Sequence, residues 1–390
     1  MTEWREQKLS DFMDFNPYTP LSKGIIAKKV TMEKLIPFNR KIQGYEDAVF
    51  SGGTKFKNGD TLVARITPCL ENGKTAYVDF LDDEEVAFGS TEFIVLRAKE
   101  GISDSRFIFY FAISDEFRDT AIQLMSGTSG RQRVDTEALK RKVFTLPPLP
   151  EQKAIAEVLS SLDDKIDLLT RQNKTLEDLA QAYFRKWFIE DASDEWEVGK
   201  AENYFEIGIG KTPPRKEEHW FSKNKDDVVW ISISDMGKSG MFIGDSSEYL
   251  TEDAVRRFNI KRVPKGAIIL SFKLTVGRVA IALREFTTNE AIAHFIYKND
   301  YEREYLYFYL KTFDYYSLGS TSSIATAVNS KIIKDMPFIM PNIEALQKYH
   351  KIAAPIFSKI EYNTNQILTL QKLRDTLLPK LISGEIRVKM

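Results

Sequence analysis

The chain has 390 residues, 43% hydrophobic and 28% charged, with a net charge of −1 and one cysteine, Cys69. That length predicts two or three domains, the composition excludes a disordered or fibrous chain, and one cysteine excludes an intramolecular disulfide or a Cys-rich zinc site. Near-neutral charge excludes indiscriminate coating of nucleic acid but permits local basic faces, and the absence of a long apolar run or an apolar leader predicts a cytoplasmic chain with no membrane partner.

In chain order, residues 1–150 read as a mixed α and β unit. TLVARI and TEFIVL are short, β-branched and bounded by turn residues, as strands are. SRFIFYFAISDEFRDTAIQ has the length and spacing of a helix. LPPLPEQ, from Leu146, then opens an amphipathic run over 151–190. From Ile155, steps of four and three land on Leu159, Leu162, Ile166, Leu169, Asn173, Leu176, Ala180, Tyr183 and Trp187, a heptad seam with one polar interruption. At about 1.5 Å per residue, a helix over 151–188 is roughly 57 Å long. A second mixed unit follows over 191–343, with VVWISI, AIILSF and RVAIAL as strands and YEREYLYFYLKTFDYYS as a helix. Residues 344–390 form a second helix, whose seam is Tyr349, Ala353, Ile356, Ile360, Asn363, Ile367, Leu370, Arg374, Leu377 and Leu381, kinked or delimited by Pro355 and Pro379.

The chain repeats itself at a spacing of 194 residues. Between 134–188 and 328–382, twelve of 55 positions are identical, among them Pro147 and Pro341, Ile166 and Ile360, Leu176 and Leu370; chance would give about three. Upstream the echo is weaker: NGDTLVARIT resembles PKGAIILSFK, and SGTSGRQRV resembles GSTSSIATAV. Asn173 is sixth of ten in its seam and Asn363 fifth of ten in its own, so an antiparallel pairing sets the two amides opposite each other. A parallel pairing would face each with an apolar group and leave it unpaired. The fold class expected is α+β: two mixed α/β domains separated by two long helices in an antiparallel coiled coil, pseudo-twofold, with Asn173 and Asn363 fixing the register.

No catalytic constellation stands out. NPYTP at 16–20 lacks the second proline of an amino-methyltransferase tetrapeptide. GIGKTPPRK at 208–216 has Phe205 in place of the leading P-loop glycine, and Pro213 and Pro214 where the phosphate-binding helix would begin. His219, His294 and His350 lack metal-ligand spacing, and LDDEEV at 81–86 reads as a solvated turn. No catalytic residue and no metal site is expected.

The LPPLPEQKAIAEVLSSLDDKI boundary, the ending LRDTLLPKLISGEIRV and the half-chain repeat, taken in this order, resemble the specificity subunit of type I restriction-modification systems. The resemblance covers the whole chain; at the second boundary this sequence reads MPNIEALQKYH. It implies a non-catalytic subunit in which each globular part is a target recognition domain reading one half of a gapped DNA sequence. It also implies that the helices set the gap and bind two methylation subunits, which methylate adenine at N6, and that two restriction subunits add ATP-driven cleavage. S-adenosylmethionine is then expected on the methylation subunit, ATP and magnesium on the restriction subunit, and no cofactor on this chain. Because the globular parts diverge more than the helices, the target is expected to be asymmetric.

Reading DNA takes cations for phosphates and planar polar groups for base edges. The first unit offers Lys23, Lys28, Lys29, Arg40, Lys41, Lys55, Lys57 and Arg65, with Arg131, Gln132 and Arg133 in a Gly-flanked loop. The second offers Lys211, Arg215, Lys216, Lys223, Lys225, Lys261, Arg262, Lys273 and Arg278, with Asn289 as a polar candidate. Loop position singles out Arg131 and Arg133. The competing reading is a coiled-coil scaffold that binds only proteins, separated from DNA reading by whether the assembled complex prefers one gapped duplex over scrambled DNA.

Overall fold

A computed structural model describes residues 3–128, 130–318 and 329–388. The chain divides into two compact units, one running to Asp167 and resuming at Leu368, the other spanning Leu168–Ile367. Part of each of the helices expected over 151–190 and 344–390 falls within each unit.

In the first unit the strands Met13–Phe15, Phe93–Ala98, Thr61–Ala64 and Thr75–Tyr77 form an antiparallel sheet in that order. Every residue of Thr61–Ala64 is buried, and after Thr61 the strand is a continuous apolar run of Leu62, Val63 and Ala64 rather than an alternating one. A second sheet orders Glu46–Val49, Ile26–Val30, Ala87–Gly89 and Thr54–Phe56. The single helix expected over 105–123 is instead two, Ser105–Ile113 and Asp115–Gln123. Ser114 is the cause: its extended backbone ends the first helix, and its hydroxyl accepts the Phe117 amide at the start of the second. Asp104 caps the first helix by accepting the Arg106 and Phe107 amides, and every residue from Phe107 to Ile113 is buried. The core joins Leu9, Phe12, Leu96, Phe107 and Phe111 to Ile155 and Leu159 of the first long helix and Leu381 and Ile382 of the second.

The second unit repeats the plan. Glu206–Ile209, Ile292–Ile296, Ile268–Ser271 and Val279–Ala282 lie in the same order as their counterparts, with Phe242–Ile243 added parallel to the last. In both units a strand preceding the sheet pairs with the strand that leads into a long helix: Arg5–Lys8 with Val143–Leu146, and Glu197–Lys200 with Pro337–Met340. The helix expected over 301–317 is shorter, Arg303–Thr312, because Phe313 turns to an extended backbone.

The long helices are Leu149–Arg185, continued by a π-helical turn over Lys186–Glu190, and Ile343–Ile382. Pro355 and Pro379 lie inside the second helix and do not delimit it. Both occupy its exposed face, where losing the helical donor to the carbonyl one turn back costs least because that side of the helix faces solvent. Within the second unit the Tyr349 hydroxyl donates to the Ala180 carbonyl (3.0 Å) and Asn363 Nδ2 to Asn173 Oδ1 (2.9 Å). Within the first, Arg374 Nη1 donates to Asp163 Oδ1 at 2.8 Å. In each unit later positions of one helix meet earlier positions of the other, which is antiparallel packing.

The seam departs from the expected positions after Ala180. Tyr183 is 37% exposed, whereas Phe184 and Phe188 are buried. A straight α-helix drifts off a strict heptad, and here the drift turns the apolar face toward Tyr305 and Phe308, with Phe188 and Tyr305 ring centroids 4.7 Å apart. Phe357 is likewise fully buried beside the expected, half-buried Ile356.

Asn363 is fully buried, and Asn173 also reaches Thr364 Oγ1 at 3.4 Å. Asn173→Leu should strand the Asn363 amide and lower the stability of this unit by about 1–3 kcal/mol. Changing both asparagines to leucine should recover most of that loss, as read from denaturant unfolding midpoints.

Candidate nucleic-acid interface

Antiparallel pairing brings three connections to one end of the main sheet of each unit: the exit from its first strand, the entry to its second and the turn leaving its third. In the first unit these are residues 16–19, 90–92 and 65–74. The hairpin Met125–Ser126 and Arg133–Val134 joins them, since Ile66 bridges to Arg133 and the Thr67 amide donates to the Gln132 carbonyl at 3.0 Å. This hairpin turns at Gly127, φ +126°, where a Cβ would lie 3.2 Å from the Arg131 carbonyl oxygen. Ser129 falls outside the described residues.

Arg65, Arg131, Gln132 and Arg133 are thus brought together, but not as equals. Arg133 grips Glu92 through Nε (3.0 Å) and Nη2 (2.6 Å), and Arg65 lies 3.9 Å from the same carboxylate. The hydrogen bonds from Arg133 hold the Glu92 carboxyl below its usual range. Arg131 is exposed, and among the described residues it forms no ion pair. Near the exit of the first strand, Lys55 Nζ sits 5.7 Å from the ring of the exposed Tyr18 and 5.5 Å from that of Phe50. Asn16 takes a positive φ and exchanges hydrogen bonds with Val95, a structural task for the start of NPYTP.

The other cations of the first unit lie elsewhere. Arg40 requires correction: it is buried, donating to Asp164 and Asp167 of the first long helix. Two carboxylates compensate the desolvation of its charge and leave it fastening the domain to the helix rather than facing a ligand. Lys41 joins the same cluster through Asp79 and Asp167. Lys28 is held by Glu85 at 2.7 Å over the Tyr45 ring, and Lys29 lies 4.0 Å from Glu46. Lys23 and Lys57 are exposed.

In the second unit the corresponding connections are residues 210–212, 288–291 and 272–278. They carry Lys211, whose Nζ reaches the Phe258 carbonyl at 3.2 Å, Thr212 donating to Glu290, Asn289, Lys273 and Arg278. Arg278 is engaged, donating to the Ile233 carbonyl at 2.6 Å, with its guanidinium where a Cβ on Gly237 would stand. Arg215 lies within cation–π range of both the Phe221 and Trp230 rings, at 4.3 and 4.7 Å, and its Nη1 donates to both carboxylate oxygens of Glu248. GIGKTPPRK is therefore a strand end and a basic loop. Arg262 is clamped between Glu252 and Glu285, and Lys261 lies 4.0 Å from Glu206. Lys216, Lys223 and Lys225 are exposed. The loop echo at 319–328 falls outside the described residues.

Sequence reasoning missed Glu92 and Glu248, which hold Arg133 and Arg215 in place, Glu290, which accepts from Thr212, and the exposed Tyr18. The one available signal was the basic and aromatic interleaving around each of them.

His294 is buried on Ile292–Ile296, with Nε2 at 2.5 Å from Thr288 Oγ1. Burial, aided by Lys261, pushes its pKa down to about 4. The unfolded chain binds that proton near pH 6.5, so this contribution to stability is complete above pH 6.5 and disappears as the pH falls to about 4, an expected loss of roughly 3 kcal/mol. Comparing the pH dependence of unfolding in the wild type and His294→Gln isolates it.

The sequence profile of the type I restriction modification DNA specificity domain matches residues 1–178 and 193–374. The type I restriction enzyme HindI specificity subunit of Haemophilus influenzae is 25% identical over 470 residues, covering 99% of this chain and all of the relative. The MjaIX specificity subunit of Methanocaldococcus jannaschii is 29% identical over 320 residues, covering 75% of this chain and 71% of the relative. Among solved structures, the type I restriction-modification S subunit of M. genitalium shares the fold, with TM-score 0.54, 18% identity and coverage of 99% and 96% of the two chains. With two profile matches, one to each half of a chain whose two units repeat one plan, this protein belongs to the specificity-subunit family of type I restriction-modification systems.

Proposed function

We propose that each unit reads one half of an asymmetric, gapped sequence in double-stranded DNA. The helices set the gap and dock two methylation subunits, which methylate adenine at N6 with their own S-adenosylmethionine. Restriction subunits, bringing ATP and magnesium, complete a cleaving complex, and this chain contributes specificity without catalysis. The observation that carries the reading is the repeated sheet end: the same three connections in each unit, furnished with different cationic and polar side chains. Shared geometry with divergent chemistry is what two different half-sites require.

The test is to map N6-methyladenine in a host expressing this chain with its methylation partner. Because Arg133 is tied to Glu92, Arg131 is the side chain freer to reach a base or phosphate. Arg131→Ala should weaken binding by about 1–3 kcal/mol, degrade preference within the first half-site only, and leave the second half-site's pattern intact. An unchanged methylation map would refute the assignment.

A further inference from the structure

The connection Phe272–Arg278 in the second unit combines features that ordinary surface loops lack. Leu274 is 79% exposed, the highest value among the exposed large hydrophobics in the described residues of this unit. A lone exposed leucine is unremarkable in itself. Leu274, however, also takes φ +61°, a region that costs a γ-branched residue energy, inside a γ-turn closed by the Thr275 amide on the Lys273 carbonyl at 2.7 Å.

The turn is braced from below. Ser271 Oγ donates to the Thr275 carbonyl at 2.6 Å and accepts the Arg278 amide at 3.1 Å, while the Gly277 amide donates to the Ser271 carbonyl. Gly277 lies against the Tyr315 ring, and the next residue, Tyr316, is 74% exposed. The fold thus sustains local strain to hold an apolar side chain out in solvent at the sheet end that carries the cations, beside Lys273. Such strain persists where the surroundings over-determine it.

We infer that Leu274 is a wedge that enters a base step of the second half-site, with Lys273 on the adjoining phosphate and the face of Tyr316 toward the loosened bases. Aliphatic side chains driven into a step partly unstack it and bend the duplex, so this position reads how easily the step opens rather than its hydrogen-bonding edges. The inference rests on the DNA-reading proposal above.

The experiment uses the complex of this chain with its methylation subunit, on a duplex of the mapped target. 2-Aminopurine replaces each purine of the second half-site in turn. Fluorescence should rise on binding at one step other than the methylated adenine, persist in Leu274→Met and vanish in Leu274→Gly, with affinity falling about 10- to 100-fold in the glycine variant. Glycine adopts φ +61° without strain, so the unfolding midpoint of Leu274→Gly should equal or exceed that of the wild type. A complete map with no such step, or a glycine variant that keeps the signal, overturns the wedge while leaving DNA reading intact. If Leu274→Gly instead weakens association with the methylation subunit without DNA, the residue is a protein contact and the inference fails. If no gapped target is methylated at all, DNA reading fails, and the wedge with it.

Discussion

Replacing Asp163 with alanine is expected to remove about 3–5 kcal/mol from the first unit, the cost of breaking a buried ion pair on one side only. Asp163 is almost wholly buried; its Oδ1 accepts from Arg374 of the second long helix and its Oδ2 accepts the hydroxyl of the fully buried Tyr110 at 2.7 Å. Burial first, and then the carboxylate, push the Tyr110 phenol well above its ordinary pKa, so it is a neutral donor throughout the accessible range. Alanine strands the Tyr110 hydroxyl and leaves Arg374 with Asp375 alone, an exposed carboxylate. Asp163→Asn, which can still accept from Tyr110, should cost less, and combining Asp163→Leu with Tyr110→Phe and Arg374→Met should restore most of the loss by removing every stranded group together. Hydrogen exchange across residues 155–165 separates destabilisation of this unit from that of the other.

A second large effect is expected from lengthening the helices. Adding a heptad to each, after Leu168 in the first and after Ile367 in the second, keeps the apolar seam in phase and extends each by about 10 Å. The methylated target should then keep both half-sites and gain a gap longer by about three base pairs, at 3.4 Å each, while the original target loses its methylation. A heptad in one helix only cannot preserve both the Asn173–Asn363 pair and the Asp163–Arg374 pair. That variant should show little methylation of either target. Genome-wide mapping of N6-methyladenine reads both outcomes.

What the sequence disclosed divides along the range of the forces involved. The heptad seam and the opposed asparagines were legible because four-three spacing and the dislike of an unpaired amide are local or pairwise rules. The exchange of Tyr183 for Phe184 was not, since it depends on Tyr305 and Phe308, residues of a helix more than a hundred positions away. The break at Ser114 was hidden inside a convincing apolar run, and the prolines of the second helix looked like ends because spacing does not reveal which face meets water.

Among the candidate interface residues the limit is electrostatic. Arg40, Arg133 and Arg262 look alike in the sequence, yet Asp164 and Asp167, Glu92, and Glu252 with Glu285 have each already claimed one of them. A cation's availability is decided by the carboxylate that folding delivers to it. The converse holds for Leu274, whose exposure no hydrophobic pattern could announce.

The placement of residues 368–388 has a consequence for the order of synthesis. Domains emerging from the ribosome ordinarily fold from the N-terminus onward, but the first unit closes its core with Leu381 and Ile382 and neutralises Asp163 with Arg374. Gly384 packs on Trp4 near the opposite end of the chain. The second unit, by contrast, draws on one contiguous segment. The first unit is therefore completed only after the second has been synthesised, and until the helix Ile343–Ile382 arrives it carries an uncovered apolar face along Ile155 and Leu159.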